Sequence, residues 1–86
     1  QIKEIKLRPK TEDHDFQFKA KHAERFLKEG NKAKITMMFR GREMVHIDRG
    51  KVLLDRFAEA LKEAAMIEQR PRQEGRNMVM ILTPKH

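Results

Sequence analysis

The sequence contains no cysteine, serine, tryptophan or tyrosine, and only four glycines and three prolines in 86 residues. Without cysteine there is no disulfide framework, thiolate zinc site or thiol nucleophile, which excludes a disulfide-stabilised secreted scaffold and suits a reducing compartment. The longest apolar run is Met78–Leu82, far below the roughly 20 residues that a membrane span requires. The N-terminus has no signal-peptide pattern. We therefore expect a soluble, cytoplasmic domain.

Positive charge is the main compositional feature that is present. Lys and Arg number 20 against 13 Asp and Glu, which gives a formal net charge of +7. The length supports a single domain over residues 1–86. Apolar residues make up 38%, which is enough for a modest two-layer core and leaves little room for a deep substrate cavity. Because the chain begins without Met, we expect it to be part of a longer protein.

The first third of the chain predicts one strand and one helix. Ile5 and Leu7 alternate with charged residues until Pro9, which predicts a strand over residues 2–8. Acidic residues then favour a helix start, and the helix would end at Gly30. Its predicted buried stripe consists of Phe16, Ala20, Ala23 and Leu27. Phe18 lies off this stripe, so residues 16–18 could instead be extended, with the helix beginning near Lys19.

The clearest strand begins at Lys32. Strict alternation predicts one buried side, made of Ala33, Ile35, Met37 and Phe39. The other side is predicted to face solvent and is largely cationic, made of Lys32, Lys34, Thr36 and Arg40. Met38 interrupts the polarity of that outer side.

The second half predicts a helix and a hairpin. Offsets of three and four place the helix at about residues 46–64, with a buried stripe of Leu53, Leu54, Phe57, Leu61, Ala64 and Ala65. Strands near 66–72 and 77–83 flank Gly75, which can adopt the positive φ of a tight turn. Pro71 predicts an edge strand, and the apolar last strand predicts a central one. The order β-α-β-α-β-β predicts an α+β two-layer sandwich with both helices on one face of a four-stranded mixed sheet.

The sequence gives little support for a catalytic function. No serine or cysteine nucleophile is present, and the glycines are too far apart to cradle a phosphate. His14 and His22, near Asp13 and Asp15, are the only candidates for a metal site, and their spacing is loose. Solvated residues at a helix start are the favoured interpretation. We therefore expect no enzymatic activity, no metal and no cofactor.

Nucleic-acid binding is favoured by where the basic residues lie. Clusters of this kind attract phosphates independently of sequence, and the lack of Tyr and Trp argues against base stacking as the main mode. The glycine pairs of a KH loop and the aromatic strand of an RRM are both absent. The pattern predicts recognition of structured RNA by shape and phosphates, with a basic protein-interaction module as the alternative. The basic residues form three groups: Lys32, Lys34 and Arg40; Arg40 and Arg42 around Gly41; and Arg70, Arg72 and Arg76 at the last hairpin.

Several segments carry a resemblance to a known family. The sequence resembles the C-terminal domain of bacterial translation initiation factor three over essentially its whole length. The resemblance implies the strand order 1-2-4-3, and it implies that an N-terminal domain and linker are absent here. The most specific segment is Phe39–Met44, in register with matches at Lys3–Pro9, Arg25–Leu27, Lys28–Ile35, Glu74–Arg76 and Leu82–Lys85.

The resemblance implies binding of the small ribosomal subunit through its RNA. It further implies that the chain keeps the large subunit from joining prematurely, supports selection of the initiator tRNA and start codon on mRNA, and acts as a monomer. Met38 stands where some relatives carry a basic residue. The implied RNA contacts are Arg8, Arg25, Arg40, Arg42, Arg56 and Arg76, with Lys10 and Lys21 standing where other members have Arg; Lys32 and Lys34 are added from charge placement.

Two of these arginines have an alternative structural role. Arg25 and Arg56 lie on predicted helices, each within one turn of a glutamate, Glu29 and Glu59 respectively. Exposed pairs at this spacing are common and weak. The sequence leaves open whether the two arginines contact RNA or a neighbouring carboxylate.

Overall fold

The computed structural model describes residues 1–85. Two α-helices and four strands follow one another in the order β-α-β-α-β-β, with a short 3₁₀ helix ahead of the second α-helix. No helix within these residues is long and apolar enough to cross a membrane. The elements are β1 (Ile2–Leu7), α1 (Asp13–Lys28), β2 (Lys32–Met38), the 3₁₀ helix (Gly41–His46), α2 (Ile47–Ala60), β3 (Ala65–Glu74) and β4 (Asn77–Pro84).

The strands form one mixed sheet in the order β1-β2-β4-β3. β1 runs parallel to β2, and β4 is antiparallel to both β2 and β3. The predicted α+β class, the central position of β4 and the edge position of β3 are confirmed. Pro71 lies on this edge strand where its register with β4 shifts, so no inner ladder loses a donor.

Both helices pack on the same face of the sheet. The cross-strand partners Ile5, Ile35 and Met80 are buried in one cluster with residues of α1 and α2. Phe16 of α1 meets Phe57 of α2 edge to face, with ring centroids 5.5 Å apart. This aromatic contact fixes the two helices against each other above the sheet.

Helix α1 begins at Asp13 and not near Lys19, so the alternative of an extended segment at residues 16–18 is wrong. Acidic side chains in the first turn favour the helix N-terminus, and Phe16 gains burial only in a helical stripe. The predicted stop is confirmed: Gly30 has φ +90°. The amide of Asn31 donates to the Phe26 carbonyl at 3.0 Å, which closes the helix in a Schellman motif.

The second helix is shorter than the predicted 46–64. Residues Gly41–His46 form the 3₁₀ helix, and α2 ends at Ala60. Most of the predicted stripe is nevertheless buried, because Leu61 is buried in the turn that follows and Ala65 is buried as the first residue of β3, whereas Ala64 is only half-buried. The apolar spacing of the helix continues through the turn that follows α2 and into β3. Periodicity alone therefore predicted a helix that is too long at its C-terminal end.

The outer side of β2 differs from the prediction at two residues. Thr36 is buried, with 4% of its surface exposed, and its hydroxyl donates to Glu4 Oε2 at 2.8 Å. Thr36 lies in the middle of the inner strand β2, between residues of β1 and β4 that cover it. Arg40 lies beyond the end of β2 and therefore does not share a face with Lys32 and Lys34.

Candidate nucleic-acid interface

Basic residues from three loops meet at one end of the sheet. β1 and β2 are parallel, and the β3–β4 turn lies beside the end of β2, so loops distant in sequence become neighbours. All of the basic residues that follow are exposed. We call them the terminal cluster: Arg8 and Lys10 after β1, Arg40 and Arg42 after β2, and Arg76 in the hairpin turn.

The hairpin is joined to the loop after β2. The Phe39 amide donates to the Arg76 carbonyl oxygen at 3.2 Å. The Arg76 guanidinium lies 3.9 Å from the position that a Cβ on Gly41 would occupy. Arg76 therefore extends the cationic surface that begins at Arg40 and Arg42.

An open cleft of about 550 Å³ lies within the terminal cluster. Five of its nine lining residues are basic and three are acidic. The excess of positive charge suits a phosphate or a phosphodiester segment more than an apolar ligand. The lining residues are Arg8, Lys10, Thr11, Glu12, Asp15, Lys19, Arg40, Arg42 and Glu43.

The loop that carries Arg40 and Arg42 is held by Glu43. The Arg40 amide donates to Glu43 Oε1 at 2.8 Å, and the Glu43 amide donates to the Arg40 carbonyl at 2.8 Å. The hydrogen bond from the Arg40 amide is the largest cause of a lowered pKa of the Glu43 carboxyl, and the charges of Arg40, Arg8 and Lys10 lower that pKa further. Desolvation opposes this shift. The ionised carboxylate thus fixes the loop while both guanidinium groups remain exposed.

The turn after β1 is equally well defined. The Arg8 amide donates to Thr11 Oγ1 at 3.1 Å, and the Thr11 hydroxyl donates to the Arg8 carbonyl at 2.6 Å. Pro9 is fully buried beneath the turn. This pairing of Arg8 with Thr11 presents Arg8 and Lys10 from a fixed backbone, which lowers the entropic cost of ordering them on a ligand.

The remaining predicted contacts lie outside the terminal cluster. Lys21 and Arg25 lie on α1, and the Arg25 guanidinium lies 5.8 Å from the centre of the Phe26 ring. Arg56 on α2 lies over Phe16 at 5.0 Å. The salt bridges of residues 1–85 do not pair either arginine with its neighbouring glutamate, and Glu59 instead binds Lys62 at 2.9 Å.

The other two predicted basic groups are not single patches. Lys32 and Lys34 are half-buried on the open face of the sheet, and Lys32 is bound to Glu68 at 2.7 Å. Arg72 is paired in register with Val79, which places it on that same open face. Arg70 instead lines a cleft beside α2. The hairpin therefore contributes only Arg76 to the terminal cluster.

The lysine and arginine side chains differ in whether they form salt bridges. Every salt bridge within residues 1–85 is formed by a lysine, and no arginine takes part in one. Guanidinium groups are suited to two-pronged contacts with phosphate. The arginines of the terminal cluster thus keep their full charge and their donors for an external anion.

The fold and the terminal cluster define a small basic α+β domain with exposed arginines at one end of its sheet that form no salt bridge within residues 1–85. Over residues 1–85 the chain matches the family model described as translation initiation factor IF-3, C-terminal domain. The chain belongs to this family.

Curated relatives named translation initiation factor IF-3 agree with this assignment. The chain is 55% identical to the protein of Geobacter metallireducens over 84 residues, which cover 98% of this chain and 49% of the relative. It is 57% identical to that of Nitratidesulfovibrio vulgaris, covering 98% and 48%, and 54% identical to that of Myxococcus xanthus, covering 96% and 34%. The chain thus spans about half or less of the length of these relatives.

Proposed function

We propose that this chain binds the small ribosomal subunit through ribosomal RNA, with the terminal cluster as the principal contact surface. The observation that carries the proposal is the meeting of Arg8, Arg40, Arg42 and Arg76 at one end of the sheet without a salt bridge to any of them within residues 1–85. Membership of an initiation-factor family supports a ribosomal partner.

RNA phosphates suit this surface for a physical reason. Neutralising phosphates with Lys and Arg releases condensed counterions, and the resulting affinity is independent of base sequence. A-form RNA is recognised largely by its shape and backbone. An end surface built from three fixed loops can follow a folded RNA backbone without any deep base-reading groove.

The remaining predicted contacts extend this surface over the helices and the open sheet face. Lys21 and Arg25 would contact RNA from α1 and Arg56 from α2, while Lys32 and Lys34 would do so from β2. Lys32 would first have to leave Glu68, so we expect it to contribute least. Met38, on the same strand, would add no charged contact.

Subunit binding would serve initiation in two ways. A chain bound to the small subunit would prevent premature joining of the large subunit, and it would support selection of the initiator tRNA at the mRNA start codon. We propose that it does this as a cytoplasmic monomer without catalysis or a cofactor. The part of the relatives that this chain does not cover would contribute further to these activities.

Sedimentation of ribosomal subunits tests the proposal. At low salt, saturating chain should bind isolated small subunits and lower the fraction of associated subunits. The matched control replaces Lys51 and Lys62 by Ala, because both are cations of α2 and its following turn that already have carboxylate partners; this variant should act like the wild type. An unchanged fraction of associated subunits at saturating wild-type chain would show that the anti-association role is wrong.

A further inference from the structure

One aromatic residue of α1 is left outside both the core and the terminal cluster. Phe18 lies in the middle of the helix and is 56% exposed, whereas the buried stripe of α1 passes through Phe16 and Ala20. Its ring contacts His22 in a tilted arrangement, with centroids 4.7 Å apart and ring planes at 42°, and the ring centroids of His22 and Phe26 are 6.1 Å apart. The result is a ladder of three rings whose first member is open to solvent.

Positively charged and polar residues surround the open ring. His14 and Lys21 line a shallow depression of about 190 Å³ together with Phe18, and Arg25 lies one helical turn beyond Lys21. Spacings of three and four place these residues on the same side of α1 as Phe18. Neither Lys21 nor Arg25 takes part in a salt bridge within residues 1–85.

This surface suits a nucleobase better than a protein. Protein-binding sites usually expose contiguous apolar patches of several hundred Å², but here one phenyl ring stands among polar and cationic neighbours. A single open ring is sufficient for stacking one base, and flanking cations can bind the adjoining phosphates. The contact with His22 also restrains the Phe18 ring.

The position of Phe18 links it to the terminal cluster. Glu12, just before α1, and Asp15 and Lys19, within α1, line the cleft. Phe18 lies five residues after Asp13, about 7.5 Å along the helix axis. One RNA strand held at the terminal cluster can therefore continue along the outer side of α1.

We propose that the open face of Phe18, supported by His22, is a stacking site for one unpaired base of small-subunit RNA. Lys21 and Arg25 would hold the phosphates on either side of that base. This inference rests on the proposed function, since it assigns a base contact within the same RNA-binding surface. It adds one stacking interaction to a surface that otherwise acts through phosphates.

A fluorescence experiment reads the stack directly. The chain has no Trp or Tyr, so Phe18→Trp introduces a single fluorophore at the proposed site, and an indole stacked on a base is quenched. Titration with isolated small subunits should quench this emission. Ile67→Trp is the matched control, because Ile67 is 42% exposed and lines the cleft beside α2, which contains none of the proposed RNA contacts; its emission should not fall.

Affinity of substituted chains for small subunits supplies the second readout. Phe18→Ala should weaken binding by about 5- to 100-fold, as expected for loss of one base stack. Phe18→Tyr should retain the wild-type affinity, and Phe18→Leu should not, because Leu lacks a π face. Ile67→Ala should bind as the wild type does, and thermal melts should show that all variants fold.

The outcomes separate the stack from the wider function. If the wild type fails to bind small subunits, the proposed function itself is wrong. If the wild type binds while Phe18→Ala binds equally well and Phe18→Trp is unquenched, only the stacking site is wrong. Wild-type affinity of Phe18→Leu, together with a blue shift and no quenching of the Phe18→Trp emission, would show that Phe18 contacts an apolar protein surface and not a base.

Discussion

Glu43 is the carboxylate around which the loop bearing Arg40 and Arg42 is built. Because the amide of Arg40 and the nearby cations lower its pKa in the folded state, its contribution to stability is present above the ordinary carboxyl pKa. That contribution is lost as the pH falls through the lowered, folded-state pKa. The residue acts through backbone geometry, which leaves the arginine side chains free.

The first prediction concerns the charge of Glu43. Glu43→Gln keeps an acceptor oxygen and removes the charge, so the free energy of unfolding should fall at pH 7. The difference between variant and wild type should shrink as the pH falls below the ordinary value of 4.5 and vanish once the wild-type carboxyl is protonated. Denaturant melts across this pH range measure the difference in the free energy of unfolding, with Glu74→Gln, at an exposed carboxylate, as the control. A difference that stays constant with pH would show that the charge of Glu43 is not what stabilises the loop.

The second prediction separates the side chains of Arg40 and Arg42 from their backbone. Replacing both by Ala should change the free energy of unfolding by about 0.5 kcal/mol or less, since the loop hydrogen bonds use the main chain of Arg40. Affinity for small subunits should fall, and the magnitude of its logarithmic salt slope should drop by about 1 per residue. The double Lys variant should recover the slope more fully than the affinity, because it lacks the guanidinium fork.

Binding and melting of these variants should be compared with those of the Lys51 and Lys62 double Ala variant. That control removes the same formal charge from cations that already have partners. A well-folded Ala variant at Arg40 and Arg42 with wild-type affinity and slope would move the RNA contact to Arg25, Arg56 and Arg76.

The sequence predicted these residues individually but could not show which of them meet. Arg8 and Arg40 are brought together only by parallel pairing of β1 with β2, a contact between distant segments. Glu43 was not among the predicted site residues, and its spacing of three from Arg40 was the one available signal for the loop hydrogen bond. Arg70 and Arg72, two residues apart in β3, lie on different surfaces because the register of β3 with β4 shifts between Gln69 and Arg72.

At the scale of the helices, α2 is anchored by Phe57. The ring is fully buried and meets Phe16 edge to face. Phe57→Ala should lower the free energy of unfolding by about 3 to 5 kcal/mol, measured by denaturant melts. Val52→Ala, on the exposed side of the same helix, should cost about 0.5 kcal/mol or less. A loss below about 1 kcal/mol for Phe57→Ala would contradict the assigned burial of α2.

At Gly50, α2 lies close against Met37 of β2 and against Phe39, which follows the end of β2. A Cβ there would lie 2.4 Å from Phe39 Cζ and 3.1 Å from Met37 Cγ. Ala is favoured over Gly in a helix by about 1 kcal/mol, yet overpacking typically costs about 1 to 3 kcal/mol. We expect Gly50→Ala to lower the free energy of unfolding.

A double-mutant cycle with Phe39→Leu tests this explanation. The smaller side chain should make room for the added methyl group, so the double variant should be more stable than the sum of the single changes predicts. Stabilisation by Gly50→Ala alone would mean that helix propensity outweighs the close contact. Additive effects would place the cost somewhere other than against Phe39.

Element types were predictable because each strand and helix has a clear period and a clear stop. Gly30 and Gly75 both have positive φ; Gly30 follows the end of α1 as predicted, and Gly75 lies in the predicted turn, although β3 extends to Glu74, beyond the predicted end near residue 72. The 3₁₀ helix and the early end of α2 were missed for a common reason. Apolar residues before and after α2 continue the helical spacing, although Leu61 and Ala65 reach the core from a turn and a strand.

At the scale of the whole molecule, charge is distributed by residue type. Five lysines pair with carboxylates on the helices and across the sheet, while no arginine forms a salt bridge in residues 1–85. The net charge of +7 would draw the chain toward any polyanion. The terminal cluster would determine how it docks, because its loops are fixed before binding.

The salt dependence of small-subunit binding tests this account most directly. If the five residues of the terminal cluster each neutralise one phosphate, log affinity should fall against log salt with a slope of about −4. Between about 50 and 200 mM monovalent salt, that slope corresponds to a loss of roughly 250-fold in affinity. A nearly constant affinity over this range would contradict binding through RNA phosphates and indicate an apolar protein interface instead.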